Sequence, residues 1–313
     1  MRNILTEIRG NVAEVMVGKE KVTDLLLVCL AAGGHVLLED IPGSGKTVLA
    51  RSLAKSLDLR FGRIQFTPDL LPGDVTGLSY YNREKGKFVF REGPVFAQVL
   101  LADEINRATP RTQSALLECM GEGQVTVDGT TRELGKPFFV IATQNPVETL
   151  GCFPLPEAQL DRFLMKISMG ELSAEEERRM IDRFIVRDPL PELKACADAE
   201  AVLDIQRQCR EVFVHSDLRD YITALAQKSR TTGLSGLREG ISPRGTLALL
   251  RAAQGFALLD GRDYAVPEDI HNAAVPVLAH RFLGEETSGT ARAEKIRQLL
   301  RSVPVPTEDW ERR

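Results

Sequence analysis

His35-Val-Leu-Leu-Glu-Asp-Ile-Pro-Gly-Ser-Gly-Lys-Thr47 is the stretch on which the fold turns. A short apolar run over 35–38 ends at an acid, a Gly/Pro-rich turn follows, and 48–57 carries helical periodicity. Strand, glycine loop and helix in that order are the setting of a phosphate-binding loop. Gly43 and Gly45 let the backbone wrap closely round an anion with its N–H groups pointing inward, and the helix adds its positive N-terminal dipole.

The loop therefore assigns Pro42, Gly43, Ser44, Gly45, Lys46, Thr47 and Val48 to a bound nucleoside triphosphate, with ATP as the cofactor. Lys46 reaches the β- and γ-phosphates, and the Thr47 hydroxyl ligates Mg²⁺. Asp40 stands where the usual pattern opens with glycine, and the alternative to a nucleotide site is a glycine-rich turn with no ligand.

Working outward, apolar runs like 35–38 recur at 63–66, 99–102, 138–142 and 163–167, separated by helical patterns. Such runs predict a parallel sheet buried on both faces, so residues 1–170 read as an α/β domain. After Gly170 the strand-like runs stop. Ser-Ala-Glu-Glu from Ser173 is a capping box for a helix through Phe184, and further helices read near 199–210, 217–231, 242–260 and 267–280. Residues 171–313 are accordingly expected to form a smaller all-helical lid with a polar C-terminal tail.

Val99-Leu-Leu-Ala-Asp103-Glu104 is an apolar strand ending in two acids. Asp103 is expected to hold the Mg²⁺ shell and Glu104 to activate the attacking water. Side chains alternate along a strand, so the two acids would normally split between the faces of a buried sheet. Such charges are costly there unless a cation attends them, and a metal-bound nucleotide would be one. Asn145, at the tip of the next apolar strand (Ala142-Thr-Gln-Asn-Pro146), is the candidate to bond the water or the γ-phosphate; Asn-Pro by itself is a turn signal. Arg162, in Leu155-Pro-Glu-Ala-Gln-Leu-Asp-Arg-Phe163, is read as a finger given to a neighbour's nucleotide, or else as a favourable helix C-terminal charge. Arg244, in Ser242-Pro-Arg244, stands in a helix's first turn against the macrodipole, which suits a group reaching back to phosphate.

These elements, in this order, resemble the AAA+ superfamily. The stretch Gly33–Thr47, Asp103-Glu-Ile-Asn-Arg-Ala108, 142–146, 155–163 and 242–244 narrow the likeness to the MoxR family, over residues 10–285. The resemblance implies a hexameric homo-oligomer with nucleotide at subunit interfaces, chaperone-like work on protein complexes, and partners bearing von Willebrand A-type domains. It also matches Met16-Val17-Gly18 to the family's adenine-contacting segment, the alternative being a plain helix lead-in.

Two further segments predict hairpins. One is 78–90 with a turn at 83–87, interrupting the second helix; the other is 124–132, turning at Asp128-Gly129. Similar inserts in related motors project toward a central pore, where Tyr80 and Tyr81 would be substrate handles; the alternative is padding of a subunit interface.

Composition bounds the rest. In 313 residues, 43% are hydrophobic, 27% are charged and the net charge is −4, which counts against a protein devoted to nucleic acid. Five scattered cysteines without Cys-x-x-Cys spacing suggest neither disulfides nor zinc, and no run approaches membrane-spanning length. The reading is therefore cytoplasmic. Its rivals are a chelatase-like motor, a DNA-directed motor and a nucleotide-gated scaffold with negligible turnover.

Overall fold

The structure is a computed structural model, and it describes residues 4–39, 43–145, 152–231, 240–282, 289–307 and 310. The first part of the chain runs α1 (Ile4–Ala13), α2 (Glu20–Ala31), β1 (Val36–Glu39), α3 (Lys46–Ser56), β2 (Phe61–Gln65), α4 (Pro72–Thr76), β3 (Gly77–Asn82) and β4 (Lys87–Glu92). It continues with β5 (Val99–Asp103), α5 (Pro110–Glu122), β6 (Gln124–Val127), β7 (Thr130–Glu133), β8 (Phe139–Gln144), α6 (Glu157–Leu160) and β9 (Met165–Ile167). The remainder is helical: α7 (Ala174–Phe184), α8 (Ala199–Glu211), α9 (Ser216–Thr231), α10 (Pro243–Leu259), α11 (Pro267–Leu278) and α12 (Gly289–Ser302).

Five strands form one parallel sheet in the order β2-β5-β8-β1-β9. The apolar runs make these strands because both faces are covered. Val36 and Leu38 join one core with α1–α3 and the helical half, while Leu37 joins the other against α5. The period-2 alternation thus sends neighbours into different cores, and neither can be polar. β9 is shorter than the run 163–167 suggests, because Phe163 and Leu164 still belong to the preceding turn; Leu164 N–H already donates to the His35 carbonyl at 2.8 Å.

This topology brings the C-terminal ends of β1, β8 and β5 side by side, with Glu39 opposite Gln144 and Ala102 opposite Ala142. Ligands of open α/β sheets bind at this edge. Both hairpins form. α4 and a single helical turn at Pro94–Phe96 flank the β3–β4 hairpin, which is how it interrupts the second helix. The β6–β7 hairpin turns at Asp128-Gly129, both with positive φ. The two lean together, the Arg132 guanidinium lying 3.9 Å from the centre of the Phe90 ring.

The capping box at α7 is as expected: Glu176 N–H donates to Ser173 Oγ, and Ser173 N–H donates to the Glu176 carboxylate at 2.7 Å. The first core runs without a break from the sheet through α2 into α8–α11, so the two halves share apolar packing. At their junction the buried Lys19 ammonium donates to the carbonyls of Met169 and Gly170 at 3.0 and 2.8 Å. No helix among the described residues is long and apolar enough to cross a membrane.

Candidate active site

The loop after β1 opens a cleft of about 420 Å³ lined by residues 43–48, Arg63, Gln65, Asp103, Glu104, Thr143 and Asn145. Gly43 and Gly45 have φ of 85° and 90°, values at which any other L-residue is strained, and α3 starts immediately at Lys46. Nothing stands within 4 Å of where a Gly43 Cβ would be, and the buried Ser44 hydroxyl finds no partner among the described residues. An inward-curled backbone, open space and an unsatisfied hydroxyl at a helix N-terminus fit a phosphate chain. Asp40, Pro42 and Pro146 lie outside the described residues.

Residues 43–45 and Val48 also border a second cleft of about 670 Å³, walled by Val15, Met16, Val17, Met180 and Phe184. A pocket of this size and apolar lining suits a flat base beside the phosphate site. Val17 lines it. Gly18 does not, but it shapes it: with φ of 67°, a Cβ there would lie 2.6 Å from Glu176 Oε1.

Asp103 at the end of β5 and Glu104 just after it both enter the first cleft, against the simple expectation from alternation. Glu104 takes a left-handed backbone (φ 56°, ψ 49°), which turns it out of the strand register and toward the side that Asp103 faces. Such a conformation costs about 1–3 kcal/mol in a residue with a side chain and is kept where the surroundings enforce it. Thr143 enforces it here: its hydroxyl accepts from Glu104 N–H at 2.8 Å and donates to Asp103 Oδ1 at 2.7 Å.

The charge cost at this strand end is met partly from within the chain, which the sequence reading did not foresee. Arg63 on β2 pairs with Asp103 Oδ2 at 2.7 Å, and Arg107 pairs with Glu104 Oε2 at 3.0 Å. Gln65 Nε2 donates to the same Glu104 oxygen at 2.9 Å. Arg63 and Gln65 flank the buried Ile64, so their alternation along β2 was the available signal. No cluster of three or more His, Cys, Asp or Glu side chains is placed to hold a metal among the described residues. Thr47 and Asp103 could share a Mg²⁺ with nucleotide oxygens, which is how that ion is usually held. Asn145 is buried on the cleft wall, its carbonyl accepting from Asn106 Nδ2 at 3.3 Å.

Arg162 and Arg244 lie elsewhere. They line a separate pocket of about 380 Å³ with Asp161, Leu247, Arg251 and Arg281, and neither borders the P-loop cleft. Arg162 Nη1 donates to the Leu117 carbonyl at 2.6 Å, while Arg244 approaches Asp161 at 3.5 Å. Asp161 also takes a 2.7 Å bond from the buried Arg281, whose guanidinium donates further to the Phe163 and Leu164 carbonyls. Arg244 thus joins Arg162, where the sequence had it reaching back to phosphate from the lid. Ser242 caps its helix as expected, accepting from Gly245 N–H at 3.0 Å.

Comparison with known proteins places the two halves of the chain in known families. Residues 35–165 match the ATPase family associated with various cellular activities (AAA), and residues 235–299 match the AAA lid domain. An uncharacterized Bacillus subtilis protein, YeaC, is 47% identical over 95% of this chain and 93% of its own. The chaperone MoxR1 of Mycobacterium tuberculosis is 42% identical over 94% of this chain and 80% of its own. A crystal structure of a Cytophaga hutchinsonii protein superposes with a TM-score of 0.90 at 40% identity, covering 98% of this chain and 96% of that one.

Proposed function

Since the chain belongs to the MoxR family of AAA+ ATPases, we propose that it hydrolyses Mg-ATP at sites completed by an adjacent copy in a ring, and spends the cycle remodelling a protein client. The observation that carries this reading is the separation of the two arginines from the P-loop cleft. Phosphoryl transfer needs cationic charge on the γ-phosphoryl group as it leaves. Arg162 and Arg244 supply that charge on a different surface, so they serve a neighbour's nucleotide.

Bound Mg-ATP supplies the phosphoryl group and the metal that neutralises its oxygens. Within one copy, the loop N–H groups and Lys46 hold the phosphates, Thr47 and Asp103 hold the ion, and Val17 contacts the base. Glu104 orients the water and takes its proton, with Asn145 fixing the water's other side. Ser44 and Val48 complete the cradle. The parts on either side of Gly170 are the units whose relative setting changes with nucleotide.

The β3–β4 hairpin is the handle for the client. Tyr80, Tyr81 and Phe88 are exposed there, beside Arg83, Lys85 and Lys87 at its turn. Large apolar side chains left in water at a hairpin tip suit contact with a polypeptide. We place six copies in the ring, in the cytoplasm, with von Willebrand A-type proteins among the partners, as the family likeness suggests.

The deciding experiment mixes two inactive chains. Glu104→Gln keeps ATP and loses turnover; Arg162→Ala keeps its own P-loop cleft and loses the neighbour's. Mixed rings contain some interfaces with an intact Glu104 opposite an intact Arg162, so turnover returns in part. Failure to recover any, in rings shown to contain both chains, sinks the shared site.

A further inference from the structure

α7 is a strongly two-sided helix that buries none of its residues within the chain. Its apolar ridge begins in the base cleft with Met180 and Phe184 and continues outward through Ile181, which is 58% exposed, to Ile185, which is 72% exposed. An isolated exposed leucine is ordinary, but a ridge of four apolar side chains that an eleven-residue helix and its C-cap leave 38–72% exposed is not. On the arginine surface, Leu247 is 61% exposed and stands three residues after Arg244 on α10, on the same helical face.

We infer that the α7 ridge of one copy docks on the Leu247 face of the next, forming the apolar half of the head-to-tail contact that completes the ATP site. The inference rests on the proposal that Arg162 and Arg244 serve a neighbouring nucleotide. Two features of the molecule select a second copy as the occupant. The first is continuity: the ridge borders the base cleft, which shares Gly43, Ser44, Gly45 and Val48 with the phosphate cleft that needs the arginines, and Leu247 borders the arginines. Leu247 follows Arg244 on α10 by about one helical turn, roughly 5 Å, so bringing Arg244 to a phosphate brings Leu247 to the rim of the same site. The second is charge. Only the first turn of α7 is acidic, with Glu175, Glu176 and Glu177 ahead of Arg178, Arg179 and Arg183, while the other surface carries Arg162, Arg244, Arg251 and Arg281 against Glu122 and Asp161, so the complementary pairing runs between that first turn and the arginines. The two patches differ from each other and are complementary, which is the signature of a heterologous contact able to close into a ring.

Cross-linking between single cysteines tests the contact. Ile185→Cys and Leu247→Cys are introduced separately into Glu104→Gln chains with Cys152→Ser and Cys196→Ser; Cys29, Cys119 and Cys209 are buried and remain. With ATP and a short bifunctional maleimide, each variant alone should stay uncoupled, their mixture should give covalent dimers, and a chain carrying both should give a ladder ending at the ring size. Efficient coupling of Ile185→Cys or Leu247→Cys with itself would mean a self-complementary contact and overturn the inference. Rings seen by light scattering whose mixture does not couple would also overturn it, leaving the shared ATP site standing. No assembly with ATP would overturn both. Ile185 and Leu247 are exposed in the single chain, so each cysteine variant should melt with the Glu104→Gln, Cys152→Ser, Cys196→Ser chain that it is built on.

Discussion

In the P-loop cleft, Asp103 is held by Thr143 and Arg63, and Glu104 by Gln65, Arg107 and Thr143. On the arginine surface, Arg244 approaches Asp161 at 3.5 Å and leaves 62% of its side chain in solvent. The first region is organised by its own chain; the second is organised at its base and open at its tip. On the proposed function, the acids align a water, and they gain from being fixed in advance because no reorganisation is then needed at the moment of reaction. On the same proposal, the arginines reach into another subunit, and they gain from a fixed root and a free end. Arg281 provides the root: it is 4% exposed and locks Asp161 and the carbonyls that follow it.

The largest test of this contrast is Arg162→Ala. Turnover should fall on the order of 10³–10⁵-fold, the usual worth of an arginine given in trans, while ATP affinity of the separate chain stays unchanged. A fall in affinity of the same size would place Arg162 at its own nucleotide and erase the contrast.

Asp161→Asn comes next, and it acts on the root. It leaves the buried Arg281 guanidinium without its carboxylate, a loss of about 3 kcal/mol for a buried pair broken on one side. Denaturant unfolding should show that loss, and Arg244 should lose its tether with it. Stability within about 0.5 kcal/mol of the parent would show that the carbonyls of Phe163 and Leu164 suffice to hold Arg281.

Thr143→Val probes the cleft in return. It removes the acceptor for Glu104 N–H and the donor to Asp103, so about 1–3 kcal/mol should go, and turnover should drop with it. Thr143→Ser keeps the hydroxyl and should restore most of both. If Thr143→Val turned over normally, the left-handed backbone at Glu104 would not depend on that hydroxyl.

The two regions were unequally legible beforehand. The sheet was readable because strands buried on both faces must be apolar throughout, as 99–102 and 138–142 are. The P-loop was readable because Gly43 and Gly45 sit at positions that need positive φ. What stayed hidden is long-range. Arg63 and Gln65 come from a strand some forty residues before the acids they bond, and nothing local marks them as partners. The turn of Glu104 out of register depends on Thr143, another forty residues away. Where Arg244 ends up depends on how α10 docks, with Gly255 pressed against Val28 of α2, where an added Cβ would lie 2.9 Å from a Val28 methyl. Local pattern located the helix and its cap; tertiary packing decided which surface its arginine joins.

The smallest effect concerns His35, which sits beneath the arginine surface. Its Nε2 lies 3.2 Å from the Met120 carbonyl and its Nδ1 accepts from Val140 N–H at 3.1 Å, so the neutral ring, with its proton on Nε2 as those partners assign it, bridges α5 to β8. Burial pushes its pKa down to about 4 from the ordinary 6.5. The unfolded chain therefore takes up a proton first as pH falls through 6.5, and the folded chain does so only near 4. Stability from this group is complete above 6.5 and is lost between 6.5 and 4, amounting to roughly 1–1.5 kcal/mol by pH 5.5. The buried His280, also held neutral, adds in the same sense. His35→Gln should flatten that part of the stability–pH curve. Met120 precedes Gly121, against which Arg162 packs, with Nη1 2.6 Å from where a Cβ would be. Acid should consequently raise amide exchange at the C-terminal end of α5 before it does so at β5. Equal protection loss at both would mean that the two regions open as one unit, and that the arginine surface has no independent freedom to move toward a neighbour.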